Sequence, residues 1–344
     1  MSWSSIHGHD AARDQLRTAY RRGRMAHAYL FCGPSGVGKR RFALEFAKAL
    51  LCEAPPEDLT ACDRCAACVQ IAAGTHPDCT FVRKPDDKQE LPVDTIRDLI
   101  ASLGLKPSRG SRKVAVIEDA DDFNAESANA FLKSLEEPPP GTTIILLATS
   151  AEAQLATIRS RCQVIPFAPL SDAALEKVLA DHGVRDRGTL DRLLRLAGGS
   201  AERALALNDP AVLDLRAAML AFLSSARPQS APMLEVWAKF IEDAGKESAA
   251  QRRRASAALG LAVDLIATAL RLALGGDVAG LEPADADKLR RCAERVGVDS
   301  LMELLDRCLD ADHLVDRRVQ LVLLTELVVE KFGRAVAPAV TDRR

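Results

Sequence analysis

One short loop constrains this chain more than anything else in it. Gly33-Pro34-Ser35-Gly36-Val37-Gly38-Lys39 satisfies the G-x-x-x-x-G-K spacing of a phosphate cradle. In such a loop, backbone N–H groups and a helix N-terminus surround phosphate, and the lysine reaches the outer phosphates. The position after the lysine carries the hydroxyl that holds Mg²⁺. Here it is Arg40, and a guanidinium has no oxygen to give a metal. The flanks have the required order. Ala28-Tyr29-Leu30-Phe31-Cys32 predicts a buried strand, and Phe42, Phe46, Ala49 and Leu50 recur at helical spacing after the glycines. The chain therefore follows a nucleotide-binding plan with one working part exchanged.

Apolar runs at Ala28–Phe31, Cys79–Val82, Val114–Ile117, Ile144–Ala148 and Val164–Phe167 alternate with helical patterns. That predicts an α/β doubly wound core with a mostly parallel sheet. The second half contains no convincing strand. Ser171 is placed to N-cap a helix ending near Gly183, a second helix runs from about Gly188 to Ala197, and a third begins near Ser200. Boundaries near Pro169 and Pro210 divide the chain into 1–169, a P-loop core holding a cysteine module at 52–68, then 170–209, a small helical domain, and 210–344, an all-α domain. The tail from Ala335 to Arg344 is expected to fray.

With 344 residues and 48% hydrophobic content the chain has enough material for such cores. Aromatics are only 4%, so packing rests mainly on Leu, Ala, Val and Ile. A net charge of −2 gives no global positive field to draw the protein to nucleic acid. Arg109, Arg112 and Lys113 form the densest basic run before the third strand, either a DNA-backbone contact or a solvated loop face. Gln251-Arg252-Arg253-Arg254 reads as the charged start of a helix. The most apolar stretch, Ala257–Leu274, is interrupted by Asp264 and Arg271 and reads as a buried or interface helix, not a membrane span. Met1–Ile6 has no apolar signal core, which points to a cytoplasmic protein.

Nine cysteines without an export signal argue for thiols or a metal, not disulfides. Cys52, Cys62, Cys65 and Cys68 have the spacing C-x9-C-x2-C-x2-C. Four thiolates so placed can close a tetrahedral, structural Zn²⁺ site. An iron–sulfur cluster would want a fourth cysteine after three further residues, and Ala72 stands there. Free thiols are the remaining alternative. Cys79 falls outside the spacing and reads as a strand residue, and His76 is a spare ligand at most.

Lys113-Val114-Ala115-Val116-Ile117 predicts a buried strand, the third, ending in Glu118 and Asp119. A hydrolysing P-loop enzyme of this kind has Asp then Glu, one for the metal and one for the attacking water. The reversed order shifts each carboxylate by roughly 1.5 Å. About 1 Å of misplacement can cost about 10²-fold in rate.

These motifs resemble the delta-prime subunits of the bacterial DNA polymerase III clamp loader, a family of AAA+ proteins. The resemblance is carried by His27-Ala28-Tyr29-Leu30-Phe31 entering the loop, and by the four-cysteine module followed by Gly74-Thr75-His76-Pro77-Asp78. Ala128-Asn129-Ala130-Phe131-Leu132-Lys133-Ser134-Leu135-Glu136-Glu137-Pro138 and Ser160-Arg161-Cys162 complete it. It covers about residues 6–207. It implies an AAA+ core, a helical lid and a helical collar that holds subunits in a ring. The implied partners are the gamma/tau and delta subunits, with the sliding clamp and primed DNA engaged through the assembly. Arg161 is implied to be an arginine finger that reaches the γ-phosphate in a neighbour's site; the plainer reading is a surface arginine paired with an acid. Thr149 matches the sensor-1 position and Arg203 the sensor-2 arginine, one residue late. Their ordinary alternatives are a capping hydroxyl and a solvated helix charge. Arg40 and the Glu118-Asp119 order favour a non-hydrolysing member, with ATP or ADP binding to Gly33, Gly36, Gly38 and Lys39 left open. The competing readings are an ATP-hydrolysing gamma/tau-type motor and a free-standing zinc-ribbon nucleic-acid module.

Overall fold

The computed structural model describes residues 2–54, 57–85, 88, 90–245, 248–276, 278, 281–316 and 320–336. Contacts divide the chain into two units, Met1–Asp186 with Gly199–Arg203, and Arg187–Gly198 with Ala204–Arg344.

The first unit is built on five parallel strands: β1 (Ala28–Cys32), β2 (Cys79–Val82), β3 (Lys113–Ile117), β4 (Thr142–Ala148) and β5 (Gln163–Pro166), in the order β2-β3-β4-β1-β5. The helices of this unit are α1 (Asp10–Arg21), α2 (Lys39–Leu51), α3 (Ala66–Ala72), α4 (Val93–Gly104), α5 (Ala125–Glu136), the single turn α6 (Ala156–Arg159) and α7 (Asp172–Asp181). All five strands predicted from apolar runs are present. Ser171 caps α7 through its side chain, which accepts from Ala174 N at 3.3 Å.

The sheet has a packed core on each face, which explains why its central strands are continuously apolar rather than alternating. Along β1, Tyr29 and Phe31 enter one core, while Ala28, Leu30 and Cys32 enter the other. This is the period-2 alternation of a strand. The few aromatics are concentrated in the first of these cores. Phe42 sets its ring edge-on to Phe31 and Phe167, at centroid distances of 5.7 and 5.0 Å. The helix that follows the phosphate loop is thereby seated on the sheet. In register, Cys32 lies beside Ala148, and Ile117 beside Leu146. The C-terminal ends of β1, β3 and β4 therefore open on one edge, where ligands of open α/β sheets bind.

The second unit is helical throughout its described residues: α8 (Arg187–Ala197), then α10 (Pro210–Ser224), α11 (Ser230–Glu242), α12 (Ser248–Ala273), α13 (Pro283–Val296), α14 (Val298–Asp316) and α15 (Leu321–Val336). Helix α9 (Ala201–Leu207) begins in the first unit and ends in the second. The α12 segment Ala250–Ala273 is long and apolar enough to cross a membrane by length and composition, its most apolar 18-residue window having a mean hydropathy of 1.6. It packs against α11, α13 and α14, and Leu259, Ala262, Leu265, Ile266 and Ala269 are buried. The basic run at its start is structural. Arg254 lies over the Phe240 ring at 4.9 Å and donates to the Phe240 carbonyl at 2.9 Å. Most of the tail expected to fray, 337–344, lies outside the described residues.

Candidate functional site

Gly33–Gly38 forms the loop between β1 and α2, and Gly38 stands at the N-cap of α2 with φ 103°. Two glycines are demanded by close approach. A Cβ on Gly33 would lie 2.0 Å from the Phe167 carbonyl oxygen. Gly36, at φ +75°, would drive one to 2.2 Å from Ser200 Oγ and 2.7 Å from Glu202 Cβ. The reason is a latch that the sequence did not disclose. The Gly36 carbonyl accepts the backbone N–H groups of Ala201 at 2.9 Å and Glu202 at 3.3 Å. Gly36→Ala is expected to destabilise the first unit by about 1–3 kcal/mol, read as a lower denaturant midpoint.

Lys39 is turned back onto its own loop. Its Nζ donates to the Gly33 carbonyl and, at 2.8 Å, to the Pro34 carbonyl. Burial pulls its pKa below the usual amine range, while Asp121, Cys32 and Glu202 act in the opposite direction. Arg40 reaches across to the end of β3 and donates from Nε to Glu118 Oε1 at 2.7 Å. Its guanidinium also lies 5.8 Å from the Phe81 ring centre. The arginine that replaces the metal-binding hydroxyl is thus paired with the first acid of the β3 terminus. Sequence reading treated these as two separate departures, and the fold makes them one contact.

Asp119 is not aimed at the loop. Its Oδ2 accepts the Lys84 backbone N–H at 2.8 Å, which fastens the segment after β2. A further acid, Asp121, acts on Lys39 electrostatically. Asp121 also accepts from Thr149 N at 2.6 Å and from Gln154 Nε2 at 2.8 Å. Thr149 directly follows β4, at the expected strand end, and its side chain is exposed. Sequence reasoning missed Asp121 and Gln154. The only signal was the acid-rich stretch Glu118–Asp122. Arg203 lies in the first turn of α9, its N–H bound to Ser200 Oγ at 3.3 Å, close in sequence to the residues that latch Gly36.

His9 supports the loop from behind. Its Nε2 lies 2.8 Å from the Val37 carbonyl oxygen, to which the Nε2–H tautomer donates. Burial lowers the His9 pKa from 6.5. Below that value the unfolded chain takes up a proton that the fold resists, so stability falls as pH drops through 6.5 toward the lower folded value. His9→Gln is expected to flatten part of that slope, measured as denaturant midpoints between pH 7.5 and about 5.5.

Arg161 lies between α6 and β5. Its Nε donates to Glu136 Oε1 at 3.0 Å, and its Nη2 donates to the same oxygen. Nη1 donates to the Thr157 carbonyl at 2.8 Å and to Ser160 Oγ at 3.2 Å. The side chain stays 32% exposed. Within one chain, then, Arg161 is paired with an acid at the C-terminal end of α5. Of the basic run, Lys113 is buried and donates to the Ser102 carbonyl at 2.6 Å, so it is unavailable to a DNA backbone. Arg109 pairs with Glu53 at 3.4 Å.

The four module cysteines converge. Their sulfurs all lie within 4.8 Å of one another, and Cys52 Sγ is 3.9 Å from Cys65 Sγ. A tetrahedron with metal–sulfur bonds of about 2.3 Å has edges of about 3.8 Å, so the cage is the right size. Backbone N–H groups of Cys62, Cys65 and Cys68 donate to the sulfurs of Cys52, Cys62 and Cys65 at 3.3–3.4 Å. Such donors favour thiolates. The N–H groups of Arg64 and Cys65 hold Cys62 down to about 6. Burial raises Cys52 and raises Cys68 much further. The module is pinned to α2 by Lys48, which is 3.0 Å from the Glu45 carboxylate and 2.5 Å from Asp63 Oδ1. His76 and Cys79 stand outside the cage. His76 Nδ1 accepts from Asp78 N at 3.1 Å, and Cys79 is a buried strand residue.

Residues 8–171 match the family described as DNA polymerase III, delta subunit. The chain is 39% identical to DNA polymerase III subunit delta' of Pseudomonas aeruginosa over 225 residues, 63% of this chain and 67% of that protein. The chain belongs to the DNA polymerase III delta-prime family. A second delta' relative, from Escherichia coli K12, is 34% identical over 194 residues, 56% of this chain and 58% of that one. DNA polymerase III subunit tau of Bacillus subtilis is 34% identical over 215 residues, 61% of this chain but 38% of tau. In this member of the family, Arg40 of the phosphate-loop helix is paired with Glu118 at the end of β3.

Proposed function

We propose that this chain is a clamp-loader subunit that does not hydrolyse ATP itself and completes the ATPase site of a neighbour. The observation that carries this reading is the pair of contacts around the cradle. Arg40 and Glu118 engage each other at 2.7 Å, and Lys39 is satisfied by loop carbonyls. A hydroxyl ligand for Mg²⁺ is missing, and the acid best placed to replace it is held by a cation. Arg161 then supplies its guanidinium in trans, a fixed positive charge beside the negative charge that develops on a transferring phosphoryl group.

On this reading, 1–169 is an AAA+ core with a zinc-bound module at 52–68, 170–209 a lid, and 210–344 a collar for hetero-oligomerisation. Val322, Leu323 and Leu327, apolar and exposed on α15, suit such a subunit contact. The partners are gamma/tau and delta subunits in the cytoplasm, and the assembly opens the sliding clamp and loads it on primed DNA. ATP or ADP binds weakly or not at all, and Zn²⁺ is structural.

The purified subunit is expected to show no Mg²⁺-dependent ATP turnover, measured by phosphate release. Turnover that disappears on Lys39→Ala would falsify the non-hydrolysing reading and restore the gamma/tau-type motor. Equilibrium binding of labelled ATP with and without Mg²⁺ should give the same weak signal in both arms, because no metal ligand is free to couple them.

A further inference from the structure

The proposed finger does not stand alone, and its partner has a geometry that a chance surface ion pair would not need. Arg161 has five N–H donors. Nε–H and one Nη2–H converge on a single oxygen, Glu136 Oε1. Nη1 is taken by Thr157 O and Ser160 Oγ. This leaves one Nη2–H without a partner among the described residues. The two anchors come from different elements. Glu136 is the last residue of α5, and Thr157 and Ser160 belong to α6 and its C-cap. The guanidinium is therefore fixed by two separate supports, and its plane cannot turn without breaking a bond to one of them.

We propose that Glu136 is a positioning residue for the arginine finger. It holds the fork of Arg161 in one orientation, so that the remaining Nη2–H, and the cation as a whole, meet a neighbour's terminal phosphate without a prior search among rotamers. A flexible arginine loses side-chain entropy when it docks, and a pre-oriented one has already lost it. The carboxylate acts through Arg161 and touches no substrate. This inference rests on the reading of Arg161 as a finger acting in trans.

The test is a set of four variants in the reconstituted hetero-oligomer with its hydrolysing subunits: Glu136→Ala, Glu136→Gln, Arg161→Ala and the Glu136→Ala/Arg161→Ala double. Steady-state ATPase gives kcat and KM, and assembly is followed separately by size-exclusion chromatography. Glu136→Ala is expected to lower kcat about tenfold at the affected site, within the about 10² that an ångström of misplacement can cost. KM should stay unchanged, because the finger acts on the transition state. Glu136→Gln keeps an acceptor oxygen and should recover much of the loss. The double variant should be no slower than Arg161→Ala alone. If Glu136→Ala leaves kcat unchanged or raises it while Arg161→Ala lowers it, the finger stands and the positioning role is lost. An equal loss in wild-type and Arg161→Ala backgrounds also overturns it, because the carboxylate would then be structural. If Arg161→Ala changes nothing, the finger reading and this inference fall together.

Discussion

On the proposed role as an arginine finger, Arg161→Ala is expected to lower ATP hydrolysis at the neighbouring subunit's site by about 10³-fold or more, on the scale of trans arginine fingers. Assembly should be preserved. The side chain makes one exposed ion pair with Glu136, and such pairs contribute roughly 0.2–1 kcal/mol. The backbone around it is held by other bonds, such as Arg161 N to the Ile158 carbonyl at 3.1 Å. Stability and catalysis are thus separable at this residue. Arg161→Lys should recover little, because an ammonium is a point charge that cannot keep the Glu136 and Thr157 bonds while it meets a phosphate oxygen. The measurement is single-turnover hydrolysis in the assembled complex. A rate within about twofold of wild type, against the expected loss of 10³, would remove Arg161 from the reaction.

The second large effect concerns the cysteine cage. Purified protein should carry one equivalent of zinc, and chelation at neutral pH should open the segment from Cys52 to Cys68. Structural zinc sites supply about 10–16 kcal/mol of apparent binding free energy in small peptides. Here part of that is offset by the cost of bringing four thiolates together, with Cys68 almost fully buried and disposed to stay protonated. Loss of the ion should therefore cost several kcal/mol locally. The Lys48 contacts with Glu45 and Asp63 and the burial of Ile71 would hold α3 near α2 but could not replace the ion. Cys68→Ala should show the same opening without chelator. Limited proteolysis and colorimetric thiol counting report it. Metal-free protein with full protease resistance across this segment would show that the cage is a set of ordinary thiols.

The β3 terminus shows where the chain could be read directly and where it could not. Each strand was legible because a sheet covered on both faces needs continuous apolar runs, and Lys113–Ile117 is one. The cysteine cage was legible from spacing alone, since two turns with thiols three apart leave few ways to arrange four sulfurs. The acids after β3 were a different matter. Glu118, Asp119 and Asp121 are equivalent as a string of carboxylates, yet one meets Arg40, one a backbone N–H and one acts electrostatically on Lys39. Which does which depends on segments 30 or more residues away. The Gly36 latch was invisible for the same reason: its partners are Ala201 and Glu202.

By itself, then, the amino-acid order determined the parallel sheet, the helical second half, the phosphate cradle with its exchanged residue, and the four-sulfur cage. All of these follow from local periodicity or short spacing. The tertiary structure alone decided that Arg40 closes on Glu118, that Lys113 turns inward, and that Arg161 rests on Glu136. A charged side chain has several partners within reach of its sequence neighbourhood. The one it takes is set by distances between elements, which exist only once the sheet has been assembled.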